Sequence, residues 1–285
     1  MPKTIIKSAK PISSIPILKT PRKGAKNRAS VLPNVLQDLN AGIEQTASLS
    51  EALAINFIDL LSSVYPQYKK EIAQDLQGIS ELGILKKMQN SAEWIIKKFG
   101  TEKVETSLSL SLKSQVEILS NHTSDTIRGI SCYLITYLYN DIQISLKHIY
   151  NLANDHHFSV REWAWLALRN QLIKQFHLAL PILYAYSIDK NENIRRFASE
   201  ISRPRGVWCA HINILKHNID DSLELCKPIL NNLQADSSRY VQNSVGNWLN
   251  DCAKSQKDWV MDLCNSWDNT IPETSYIIKR GHRNI

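Results

Sequence analysis

At 285 residues, with 43% hydrophobic and 21% charged positions, the chain has the composition of an ordinary folded protein, and its length fits one large domain, two small ones or an elongated repeat array. No run approaches the roughly 18 consecutive apolar residues of a membrane span, and five cysteines without a CxxC pair and eight scattered histidines give no zinc, disulfide or other metal pattern. The net charge of +7 suggests nucleic acid until it is partitioned: residues 1–28 hold eight Lys/Arg and no acid, while the other 257 hold 26 basic against 27 acidic groups.

Residues 1–30 therefore read as a basic tail. Its Lys, Pro and Ser cannot bury enough apolar surface to fold, so disorder is expected. Such a tail either adds salt-sensitive attraction to polyanions or simply stays solvated. Pro11, Pro16 and Pro21 interrupt its apolar character, so no cleaved secretory signal is expected and a cytoplasmic location follows. From Val31 apolar residues recur at three- and four-residue spacing, and residues 31–120 read as an N-terminal helical scaffold. Ser48-x-x-Glu51 has the form of a capping box opening a helix through Phe57, Leu60, Leu61 and Val64, which Pro66 ends. A further helix is predicted from Ile84 through Trp94 and Ile95 to Phe99, stopping at Gly100. The Ser/Leu run at 107–112 fits a helix or a linker equally.

Residues 121–285 contain a repeat. DTIRGIS, FSVREWAWLAL, ENIRRFASEI, RYVQNSVGNWL and SYIIKRGHRNI share a β-branched apolar anchor, followed in most copies by a polar or basic residue. The anchors Ile127, Val160, Ile194, Val241 and Ile277 are 33, 34, 47 and 36 residues apart, the period of paired-helix solenoids. The fold predicted is all-α: a solenoid of HEAT-like repeats, continuous with the preceding helices, whose concave face binds an extended partner. Each string would be the second helix of its pair. The interval of 47 holds an insertion around SRPRGVWCAHI, where Pro204 stops the preceding helix.

Within each repeat helix the stripe at i, i+3, i+4, i+7 and i+8 should be core. It contains Val160, Trp163, Ala164, Ala167 and Leu168; then Ile194, Phe197, Ala198 and Ile201; then Val241, Ser244, Val245, Trp248 and Leu249. Off the stripe lie Arg161, Glu162, Trp165 and Arg169; Arg195, Arg196, Ser199 and Glu200; Gln242, Asn243, Asn247 and Asn250, which stacked repeats would line along one strip. Between residues 29 and 120 every basic residue is lysine, whereas ten arginines follow from Arg128 to Arg283. Arginine's planar fork suits phosphate, so this segregation points to a binding face in the second half. Glu162 and Glu200 are the acids among these arginines. Arg196 and Glu200, at i and i+4, can equally be a helix-surface ion pair, and Trp208 can equally plug a gap between repeats.

The stretch from Ser124 to Asn284 resembles the HEAT-like DNA alkylation repair proteins, the AlkC/AlkD group of DNA glycosylases. The resemblance is carried by SDTIRG, HHFSVREWAWLALR, NIRRFASEISRPRGVWCAHI, YVQNSVGNWLNDCAKSQKDWV and SYIIKR, and RRFASEISRPRGVW is its most specific and AlkC-like piece. The AlkD-like pattern has a tryptophan where this chain has Asn247. The resemblance implies a nucleoid-associated monomer that excises cationic N-alkylated purines such as 3-methyladenine from double-stranded DNA without a metal or cofactor. Glu162 and Glu200 would act on sugar and water, and Trp208 would lie against the lesion or its deoxyribose. Arg196, Arg203 and Arg205 would hold phosphates, with Arg128, Arg161, Trp165, Arg195, Asn243 and Asn247 completing the DNA surface. A catalytically silent module binding distorted or branched DNA, or a protein-interaction scaffold, are the alternatives.

Overall fold

A computed structural model describes residues 22–100 and 108–284. Among the described residues there are sixteen α-helices and no strand. The first five are α1 (Pro33–Asn40), α2 (Leu49–Ala54), α3 (Phe57–Val64), α4 (Lys69–Asp75) and α5 (Ile84–Phe99). The single helix expected to run on from Ser48 is two helices. Asn56 breaks it, because its side chain accepts from the backbone N–H groups of Ile58 and Asp59 and so starts α3 afresh. The capping box is also incomplete: Ser48 accepts from the Glu51 N–H, but Glu51 turns instead to Arg22 and the N–H groups of Ala25 and Ala47. Those contacts correct the expected tail boundary, since residues 22–30 are pinned at the start of α2. The expected disorder of residues 1–21 lies outside the described residues.

The remaining helices are α6 (Leu108–Ser120), α7 (Asp125–Leu138), α8 (Ile142–Ala153), α9 (Phe158–Lys174), α10 (Phe176–Ser187), α11 (Glu192–Ser202), α12 (Asn213–Lys216), α13 (Lys227–Leu233), α14 (Arg239–Ala253), α15 (Lys257–Asn265) and α16 (Pro272–Gly281). The Ser/Leu run left open by its composition thus enters α6. The five repeat strings are α7, α9, α11, α14 and α16, and each packs on the next in one row. The first helices α8, α10 and α13 form a second row behind them, joined to the front row by α8/α9, α10/α11 and α13/α14 packing. Helices α5 and α6 both lie on α7, so the N-terminal helices continue the stack. The chain is a HEAT-like helical solenoid. Its core between the rows includes Ile127, Val160, Trp163, Ile194, Phe197, Val241 and Trp248, all under 4% exposed.

The repeat signature has a structural cause. In the first four copies the residue after the anchor reaches back to the turn before its own helix: Arg128 Nη1 donates to the carbonyls of His122 and Thr123, Arg161 Nη1 to Asp155 and His156, Arg195 Nη1 to Asp189 and Lys190. Gln242 does the same to Asp236. The aspartate of each turn accepts the backbone N–H two residues on, as in Asp155 with His157, Asp189 with Asn191 and Asp236 with Ser238. Two of these turns are clamped across the repeat boundary. Arg128 pairs with Asp155 at 2.8 Å and Arg195 with Asp236 at 2.6 Å.

Candidate active site

Helices α9, α11 and α14 bring polar side chains to one face, where they form a chain of alternating charge. On α9, Glu162 and Trp165 stand one turn apart, and Trp165 Nε1 donates to Glu162 Oε2 at 2.8 Å. On α11, Arg196 Nη2 lies 2.6 Å from Glu162 Oε1 and 3.4 Å from Glu200 Oε1. Arg203 follows the end of α11 because the residue before a proline, here Pro204, is driven out of the helical conformation. Its Nη1 donates to Glu200 Oε2 at 2.8 Å and its Nη2 to Asp251 Oδ2 of α14 at 2.5 Å. Lys254 closes the chain on Asp251 Oδ1 at 2.8 Å. Three acids therefore meet three bases, and the chain is neutral. Tyr240 lies beneath Arg196, with the guanidinium carbon 4.3 Å from its ring centre, and its hydroxyl accepts from Arg161 Nε at 3.3 Å.

The two glutamates differ in access. The Glu200 side chain is 4% exposed and that of Glu162 32%. Burial pushes the Glu200 carboxyl up, but Arg196, Arg203 and a hydrogen bond from Ser244 outweigh it and hold the group below its ordinary value. Glu200 is thus a carboxylate at neutral pH, suited to stabilising positive charge and not to giving up a proton. Glu162 is the acid that solvent and a ligand can reach.

Residues 203–212 cross this face as a loop. Arg169, expected on the exposed strip, is 1% exposed and holds the loop from below: it donates to the carbonyls of Ile201 at 2.6 Å, Arg203 at 2.5 Å and Ala210 at 3.0 Å. Burial draws its pKa down to about 10, so it stays charged. Gly206 makes the tight turn, since a Cβ there would sit 2.4 Å from Cys209 Sγ. The turn leaves Val207 93% and Trp208 41% exposed. Glu162, Trp165, Arg196, Glu200, Arg203, Trp208 and Asn247 all line one cleft of ≈ 340 Å³, together with Leu49, Phe158 and Val207. That volume is at the low end of ligand-binding pockets.

The other residues singled out by sequence fall elsewhere. Arg128 is 4% exposed and pairs with Asp155, and Arg195 pairs with Asp236, so both tie a repeat to the next. Ser199, Gln242 and Asn250, also expected on the strip, are buried. Arg161 adjoins the cleft through Tyr240, and Asn243 accepts a hydrogen bond from Tyr276 on α16. Arg205 makes no ion pair among the described residues, and its Nε is buried without a partner. Sequence reasoning passed over Tyr240 and Asp251 and read Ser244 as core. With Asn247 these occupy one polar stripe of α14 at i, i+4, i+7 and i+11, a signal present beside the apolar stripe. Among the described residues no group of three or more His, Cys, Asp or Glu side chains is placed to hold a metal ion.

No protein-family model matches the chain. It is 31% identical over 246 residues to the uncharacterized protein YhaZ of Bacillus subtilis (strain 168), a match covering 83% of this chain and 63% of that protein. Among solved structures it is similar to Pseudomonas fluorescens alkylpurine DNA glycosylase AlkC bound to DNA containing an abasic site analog, with 27% identity, a TM-score of 0.62, and coverage of 82% of this chain and 62% of that one. It is also similar to AlkD2 from Streptococcus mutans, with 22% identity, a TM-score of 0.57, and coverage of 77% and 98%. The chain thus spans a little under two thirds of the length of YhaZ and of AlkC. The fold expected from its likeness to the AlkC/AlkD group is the fold it has.

Proposed function

From the cleft and the likeness to a DNA-bound AlkC, we propose that this chain binds double-stranded DNA across the face of its second helices and hydrolyses the N-glycosidic bond of cationic N-alkylated purines such as 3-methyladenine. The carrying observation is that one open carboxylate, one buried carboxylate and one exposed tryptophan share a single cleft on that fold. A cationic purine is already a good leaving group, so the demand on the protein is to stabilise a sugar that becomes oxocarbenium-like. Fixed carboxylates and an aromatic face both favour developing positive charge. In this reading the C1′–N bond breaks and its electron pair leaves with the purine, which departs neutral. A water oxygen bonds C1′ and its proton passes through Glu162 to solvent. Glu200 contributes charge without titrating, and Trp208 lies against the lesion or its sugar.

The test is single-turnover release of 3-methyladenine and 7-methylguanine from methylated duplex, by the intact chain and by Glu162→Gln and Glu200→Gln variants. Loss of about 10²-fold or more in Glu162→Gln, with DNA binding kept, is expected for a group that handles the water's proton. Full release by both variants would overturn the assignment of the acids. A second reading, a DNA-binding module without excision, draws on the saturation of Glu200 by Arg196 and Arg203. No release by the intact chain, with binding retained, would favour it.

A further inference from the structure

The ten arginines of the repeat region differ in what neutralises them, and Arg161, Arg169 and Arg205, like the seam arginines below, make no ion pair among the described residues. Arg128, Arg195, Arg196 and Arg203 each contact at least one carboxylate, so their charge is already compensated. Arg239, Arg280 and Arg283 make no ion pair among the described residues, and all three lie along the seam where α14 packs on α16 or just beyond its end. Arg280 Nε donates to the Asn243 carbonyl at 3.3 Å and to Asn247 Oδ1 at 3.1 Å. Arg283 Nη2 donates to the same Asn247 oxygen at 3.1 Å, and its Nε donates to the Arg280 carbonyl at 3.0 Å. Arg239 stands with its guanidinium carbon 3.6 Å from the centre of the Tyr276 ring.

Asn247 also lines the cleft of Glu162 and Trp208. One neutral amide oxygen therefore fixes two guanidinium groups beside the candidate active site without cancelling either charge. The Nη groups of Arg280 and Nη1 of Arg283 make no hydrogen bond among the described residues. The packing of the seam agrees with a built position: a Cβ on Gly246 would lie 2.8 Å from the Cβ, Cγ and Cδ of Arg280, so only glycine lets the stem of that arginine lie flat across α14. Planar forks with open N–H pairs and uncompensated charge match a phosphodiester group in geometry and sign.

We infer that Arg280 and Arg283, fixed by Asn247, are a phosphate clamp that seats the nucleic-acid backbone next to the cleft, and that Arg239 extends it along the seam. The inference rests on the DNA-binding part of the proposed function and not on excision. It is tested by measuring the dependence of affinity on salt for an undamaged duplex, with wild type, Arg280→Ala, Arg283→Ala and the double variant. Each phosphate contact removed lowers the slope of log K against log salt by about 0.9, so the double variant should lose nearly two. Lys147→Ala, which removes an exposed charge from the rear row, should leave the slope unchanged. Arg280→Lys/Arg283→Lys should restore it, which a purely packing role would not do. An unchanged slope in the double alanine variant overturns the inference. A lowered slope in a chain that excises no purine sustains the clamp and overturns only the catalytic reading, and a chain that binds no DNA overturns both.

Discussion

Glu200 shows how far a single residue's role depends on its neighbours. Its carboxyl is held below the ordinary value by Arg196 and Arg203 against the opposing pull of burial. A depressed folded-state pKa contributes stability that is fully present above the unfolded value, near 4.5, and is lost as pH falls through the lower folded value. Glu200→Gln should therefore be less stable than wild type by about 1.5–3 kcal/mol at pH 7, the worth of a hydrogen bond to a charged group. The deficit should shrink as the pH falls below that unfolded value, which urea midpoints across pH 3–7 would check. Trp208→Ala makes the opposite case. Trp208 is 41% exposed, so its removal should cost no more than about 2 kcal/mol of stability while purine release collapses. Of the cleft residues, Glu162, Glu200 and Trp208 were legible because each stands out chemically among arginines or in a motif. Asp251 was not, because its partner Arg203 lies 48 positions away and nothing local marks the pair.

At the scale of elements, the loop over the cleft depends on a helix it does not belong to. Arg169 sits on α9, yet its three donors go to Ile201, Arg203 and Ala210, which end α11 and form the loop. Arg169→Ala removes the side-chain donor from three carbonyls, of which that of buried Ile201 costs about 1–3 kcal/mol if left unmet. Limited proteolysis should then cut within residues 203–212 well before the rest of the chain. Helical periodicity made the stripes readable and placed Trp163 and Trp248 in the core. It misjudged Arg169 because an off-stripe position tells which way a side chain leaves its helix, not how far a long guanidinium bends to find carbonyls. The same limit explains α2 and α3, where Asn56 competes for the backbone and ends a run that apolar spacing alone would carry through.

Across the whole molecule, the strongest sequence signal turned out to be architectural. The arginine after three of the five anchors was visible as a repeat and was read as part of a DNA surface; in Arg128 and Arg195 it ties one repeat to the next. Removing one partner of a buried pair typically costs about 3–5 kcal/mol. Arg128→Ala should lower the unfolding midpoint accordingly and leave the salt dependence of DNA binding untouched, the reverse of the outcome at Arg280 and Arg283. Among the described N-terminal residues only Leu49 reaches the cleft, because α5 and α6 pack on α7 and not on α9 or α11.

The chain of charge from Glu162 to Lys254 crosses three second helices, each supplied by a different repeat. Its spacings are therefore set by superhelical pitch and by no single rigid element. Small rotations between neighbouring repeats add up along a solenoid, so under the proposed function a duplex that bent this one would change the gap between Glu162 on α9 and Asp251 on α14.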